Sequence, residues 1–381
     1  MLLGLGAFLA LALGSGLDRL SLHMPTVARF VPDPLAAEAH RAIASQALRD
    51  LDGAPAVQAA RKAVAADPAD PRSAALLGAA NLQSARFSDA DRAFRVAARL
   101  GWRDPLTQLY FMNRALRGGD FALAALRLDA VLRQDPQFPA RDIVLAQFAA
   151  SGQGRKALAH RLSLRPSWVG QFMGSDSRLG LSELRKRAEI VAAVPGEHWG
   201  CDAVAPLVNR MINGGDARAA KRLWTVHCPD ASHTIADPDF SRLRQNRTLT
   251  PFDWNPAGGG DVALAVTGTG GGMVVRVSGA ASRMIAWQML TLPPGAYLLR
   301  WTAQSRDLGE AQALSLSLAC RPGERSPLRA HQSAEGQFAA EFQVAANCPE
   351  QYLSLWLAPA QTDVRIERIE LAPYAKRHSP V

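Results

Sequence analysis

The chain has 381 residues, room for two or three domains, and its 48% hydrophobic and 20% charged content excludes a disordered polymer. The net charge is +9, but Arg41, Arg61, Arg72, Arg86, Arg95 and Arg99 are scattered through helical patterns with no dense cluster. That distribution is a solvated basic surface, and no nucleic-acid partner is expected.

Leu2 to Leu17 is almost wholly apolar, and Asp18-Arg19 ends the run. It is shorter than the roughly 20 residues of a bilayer span, and no Lys or Arg precedes it. Residues 1–17 are expected to be a signal peptide, with Ala12-Leu13-Gly14 as a small-residue cleavage site, or a retained inner-membrane anchor. A buried first helix is the alternative. Residues 18–35, with Pro25, Pro32 and Pro34, form a connector.

An alanine then returns every 34 residues, at Ala56, Ala90 and Ala124. Four residues on stand Ala60, Phe94 and Leu128; seven on stand Ala63, Ala97 and Val131. Asp67-Pro68 and Asp135-Pro136 close the first and third units, and Asp104-Pro105 and Gly119-Asp120 mark turns. Gly78 and Ala90 are small where two helices cross, and Phe94 fills the space toward the next helix. The period is that of a helix–turn–helix repeat. The pattern resembles the tetratricopeptide repeat family over residues 36–138, which implies a solenoid with a protein partner in its groove. Asn81 stands where that family has an aromatic, and Ala60 where it has a large residue, so the first unit reads as a cap. Repeats are assigned to 36–163. A degenerate helical extension follows at 164–230, where Gly215-Asp216, Ala220 and Trp224 repeat the turn and packing signature.

From residue 231 to 375 the pattern changes to short alternating runs and Gly-rich turns. Strands are expected at Met273–Val277, Ile285–Leu292, Tyr297–Ala303, Leu314–Cys320, Phe338–Val344, Tyr352–Leu357 and Val364–Leu371, with Gly258–Gly260, Gly270–Gly272 and Pro293–Gly295 as turns or loops. Asp239-Phe240, Phe252-Asp253-Trp254, Gln288 to Leu292, Pro294-Gly295-x-Tyr297 and the closing Ile366–Leu371 resemble a galactose-binding-like jelly roll of the carbohydrate-binding modules. Residues 376–381 are a tail. The fold class expected is multidomain α and β: an N-terminal α-solenoid of helix-turn-helix repeats, then an antiparallel β-sandwich of jelly-roll type.

Aromatic side chains on a sandwich face can stack on sugar rings. By the period of two, Leu353, Leu355 and Leu357 share one face and Tyr352 and Trp356 the other. Trp356, Tyr352, Arg300, Trp254 and Trp287 are the candidate glycan residues. Cys201, Cys228, Cys320 and Cys348 permit three pairings; the local pairs Cys201–Cys228 and Cys320–Cys348 are chosen, with four buried thiols as the alternative. A zinc set of His198, Cys201, His227 and Cys228 is disfavoured by the adjacent His227-Cys228. The jelly-roll resemblance brings a structural calcium to mind, for which Asp239, Asp253 and Asp261 are not assigned. No metal or cofactor is expected.

Gly268–Gly272 lacks the Lys of a phosphate loop, and no Gly-x-Ser-x-Gly elbow occurs, so no enzyme is expected. The expected function is a non-catalytic envelope scaffold: repeats on a protein partner, sandwich on a polysaccharide, in exopolysaccharide assembly or export. It is expected to be exported to the periplasm and held at the inner membrane by its N-terminal segment. The alternatives are an assembly factor whose sandwich binds no sugar and, last, a glycan-active enzyme.

Overall fold

The computed structural model describes residues 2–374 apart from 175–178, 195–198, 229–233, 244–247, 258, 268–270, 307–310 and 361, with side chains from Phe8 onward. Glu197, His198, Gly258, Gly268–Gly270, the 230/231 boundary and the 376–381 tail lie outside the described residues. The chain divides into two compact units, Met1–Arg161 with Pro166–Trp168, and Leu162–Arg165 with Val169–Val381.

The first unit is helical. It runs α1 (Leu2–Leu20), two short 3-10 turns (Pro25–Phe30 and Asp33–Leu35), α2 (Ala37–Arg49), α3 (Gly53–Ala66), α4 (Pro71–Gln83), α5 (Phe87–Leu100), α6 (Pro105–Arg117), α7 (Phe121–Gln134), α8 (Arg141–Ala149) and α9 (Gly152–Ser163). The helices α2, α4 and α6 start 34 residues apart and each has 13 residues. The helices α3, α5 and α7 keep the same step with 14. The Asp-Pro steps explain two of the starts: Asp70 accepts the Arg72 N–H (2.8 Å), Asp104 accepts the Thr107 N–H (2.7 Å), and the proline behind each has no N–H to lose.

Packing follows the period. Ala56, Ala90 and Ala124 are all 0% exposed, and Ala60, Phe94, Leu128, Ala63, Ala97 and Val131 are buried with them. Gly78 of α4 faces the Phe94 ring so closely that a Cβ there would lie 2.7 Å from it. Phe94 in turn stacks on Tyr110 of α6 at 4.2 Å. Asn81 is accommodated because its side-chain amide donates to Leu77 O (2.9 Å). The regularity ends at α8, which has nine residues. There Asp129 of α7 is buried and accepts from Arg133, Arg161 and Trp168 Nε1. Burial pushes its carboxyl up, but those three bonds outweigh it and hold the group below the ordinary carboxylate range.

The inner-membrane anchor expected of residues 1–17, and the inner-membrane partner and location that depended on it, are overturned: among the described residues no helix is long and apolar enough to cross a membrane. The charged end of α1 is folded back into the unit. Asp18, which seemed to end an apolar run, accepts the N–H groups of Ala39 (2.8 Å) and Glu38 (3.2 Å) and so caps α2. Leu17 packs on Ala28, Val31, Ala36 and Ala39.

The second unit opens with α10 (Val169–Gly174), α11 (Leu181–Ala192), α12 (Cys201–Asn213) and α13 (Ala217–His227). The Cys201–Cys228 disulfide ties the start of α12 to the end of α13. The zinc set therefore fails, since both thiols are spent, and His227 Nε2 lies 3.0 Å from Val191 O. Among the described residues ten strands follow: β1 (Asn255–Pro256), β2 (Val262–Val266), β3 (Met273–Val277), β4 (Arg283–Leu290), β5 (Gly295–Ser305), β6 (Leu314–Ala319), β7 (Ala330–Ala334), β8 (Gln337–Val344), β9 (Gln351–Leu357) and β10 (Val364–Pro373). They form two antiparallel sheets, ordered β1-β4-β9-β6 and β2-β3-β10-β5-β8-β7. One core is shared: Leu353, Leu355 and Leu357 of the first sheet pack with Val275, Trp301 and Ile366 of the second. The strands missed in the sequence are β1, β2 and β7. All five residues of β7 are exposed, so it pairs at an edge without any apolar alternation to announce it.

Candidate functional site

The outer face of the four-stranded sheet carries a pocket of about 300 Å³, lined by Met284, Trp287, Pro322, Gly323, Glu324, Tyr352, Ser354 and Trp356. Its base is β9, the central strand of that sheet with β4 on one side and β6 on the other. Three buried leucines turn inward, so Tyr352, Ser354 and Trp356 turn outward. Trp287 of β4 sits opposite Ser354 in register, and Met284 opposite Trp356.

Met284 and Trp287 are three apart and would fall on opposite faces of a regular strand. The register shifts between Met284 and Ala286, and this bulge re-aims Trp287 to the outer face. The rings of Trp287 and Tyr352 lie 6.1 Å apart, tilted by 43°. Trp356 is fixed by an Nε1–H bond to Ser354 Oγ (2.9 Å). Burial, and then the negative charge of Glu350, pushes the Tyr352 phenol up, so it stays a neutral hydroxyl.

The rim comes from the segment after β6. Cys320 is bonded to Cys348 just before β9, and Gly323 takes a φ of +78° that suits glycine at this turn. Ser326 N–H donates to Ser317 Oγ (2.7 Å), and the Arg325 guanidinium lies 4.5 Å from the Trp356 ring centroid. The resulting site is three aromatic faces with a carboxylate, a guanidinium and hydroxyls at the edge. Such a surface offers apolar area to C–H groups and both donors and acceptors to hydroxyls.

Of the five candidate glycan residues, the structure brings together Trp356, Tyr352 and Trp287. It does not bring Trp254, which is 1% exposed in the core and donates its Nε1–H to Asp237 O (3.0 Å). Nor does it bring Arg300, which stands exposed on the outer face of the other sheet beside Leu298, Arg368 and Glu370. Met284, Ser354 and the Pro322–Arg325 segment were missed. A Pro-Gly turn directly after one cysteine of a local pair was the available signal for the last. Asp239, Asp253 and Asp261 are not gathered: they serve Ser241, Thr250 and Arg283 respectively. Among the described residues no group of three or more His, Cys, Asp or Glu could hold a metal ion.

No family model matches this chain. No curated protein matches it either. Among the solved structures that it resembles, that of TmCBM61 in complex with beta-1,4-galactotriose aligns at 13% identity over 32% of this chain and 88% of that chain, with a TM-score of 0.23. A likeness at that score carries no argument about fold or ligand, and the site stands on its own geometry.

Proposed function

We propose that this protein is a non-catalytic binding protein whose β-domain holds a saccharide in the pocket of Trp287, Tyr352 and Trp356. In this reading the 36–163 helices are tetratricopeptide-type repeats that make protein contacts, 164–230 is a helical extension, and 231–375 is a jelly roll. The observation that carries it is the convergence of three partly exposed aromatic rings around polar Ser354 and Glu324 on an outer sheet face. A face with no ligand would normally carry polar side chains, because exposing several rings together costs apolar hydration.

The test is a glycan array on the full chain, with Trp356→Ala and Trp287→Ala beside wild type. One stacked aromatic ring contributes about 1.5 kcal/mol, so each variant should bind about tenfold more weakly with an unchanged circular dichroism spectrum. Saccharide binding unaffected by both substitutions, or no binding to any glycan, sinks the reading and favours a sandwich that contacts only protein.

A further inference from the structure

Among the described residues, several arginines that reach between the repeat helices meet an acid: Arg41 pairs with Asp70, Arg114 with Asp91, and Arg161 with Asp129. Arg127 of α7 does not. Among the described residues it has no hydrogen-bond or ion-pair partner, and its Nε is shut off from water without one. Its guanidinium carbon lies 3.8 Å from the ring centroid of Trp102, on the turn between α5 and α6. Trp102 is itself 43% exposed and held from behind, by the Gln108 side-chain amide on its carbonyl and by Phe111 at 5.4 Å. Burial lowers the proton affinity of the guanidinium.

The neighbourhood is apolar and cationic. Leu123, one turn before Arg127, and Leu126 and Leu106 are exposed, as are Arg99 and Arg103. The acids near it in sequence are engaged elsewhere: Asp129, two residues on, accepts from Arg133, Arg161 and Trp168, and Asp104 and Asp120 cap helices through the Thr107 and Leu123 N–H groups. The ring contact holds the guanidinium in place, and its terminal N–H groups have no acceptor among the described residues. A partly desolvated, pre-oriented guanidinium is a strong receptor for a carboxylate, because two charge-assisted bonds form with little ordering cost. A lysine there would give a point charge without the fork.

We propose that Arg127 and Trp102 form a receptor for a glutamate or aspartate side chain on an acidic, partly apolar peptide segment of a partner protein. The carboxylate bonds the Arg127 fork, and the flanking apolar residues of that segment cover Trp102 and Leu123. The site is independent of the saccharide pocket.

The experiment is calorimetric titration of the full chain with a short synthetic peptide of glutamate and leucine, and with its glutamine counterpart. The glutamate peptide should bind at least tenfold more tightly. Arg127→Gln should lose about tenfold, Arg127→Lys should not recover it, and Arg61→Gln, an exposed arginine on α3, should bind as wild type. Trp102→Phe keeps a stacking ring and guards against misfolding; it should bind within a few-fold of wild type. Equal binding of the two peptides, no binding, or Arg127→Gln binding as wild type overturns the proposal. So does Arg127-dependent binding of polyphosphate that is tighter than that of the glutamate peptide.

Discussion

Replacing Gly78 by alanine isolates one contact of the repeat packing. The added Cβ would sit 2.7 Å from Phe94 Cδ2 and Cε2 and 2.9 Å from Cγ, whereas carbon atoms rest at about 3.5–4.0 Å. Phe94 has nowhere to retreat: it is 2% exposed and stacked on Tyr110, whose hydroxyl donates to Asp91 (2.8 Å). Overpacking of this kind costs about 1–3 kcal/mol. Alanine returns about 1 kcal/mol through its better helix propensity. The net expectation is a loss of about 0–2 kcal/mol, read as a lower urea midpoint of the helical signal. In a double-mutant cycle, Phe94→Leu should absorb much of that loss, with a coupling of about 1 kcal/mol. A Gly78→Ala chain more stable than wild type, or strict additivity with Phe94→Leu, would refute the reasoning.

Asp129→Asn should destabilise the helical unit by about 3 kcal/mol at neutral pH, because it leaves the Arg161 guanidinium half-buried without its counter-charge. The Asp129 carboxyl is held below its unfolded value, so its contribution is complete above about pH 4 and fades on acidification. Denaturation at pH 7 and pH 3 should show the gap between the two chains closing; a gap independent of pH contradicts the assignment. Lys221 of α13 behaves oppositely. Burial outweighs the attraction of Asp253 and, with Arg242 adding repulsion, pushes its amine down to about 8 while it lies 5.0 Å from the Phe252 ring centroid. Between about pH 8 and the unfolded value near 10.4 the unfolded chain binds the extra proton, so stability rises with pH by about 2–4 kcal/mol across that window. Lys221→Met should remove this rise in paired chemical denaturation curves, and parallel curves for the two chains would count against it.

The helical period was legible because it is local. Burying one face of each helix against the next fixes small residues at Ala56, Ala90 and Ala124 whatever the rest of the chain does. The same holds for the inward leucines of β9, where alternation alone separates Tyr352 and Trp356 from the core, and for the two disulfides, whose partners are near in sequence. What the tertiary structure decided is what depends on distant neighbours. Asp18 looked like the end of an apolar run until α2 presented two N–H groups to it. Trp254 and Trp356 are the same residue type in similar company, yet one is held in the core by Asp237 and the other opens on a pocket. Trp287 joined that pocket through a one-residue register shift between strands, which no periodicity within β4 encodes. Arg127 is one arginine among many in the sequence. It became a candidate receptor only because folding set it on Trp102 and gave every nearby acid another task.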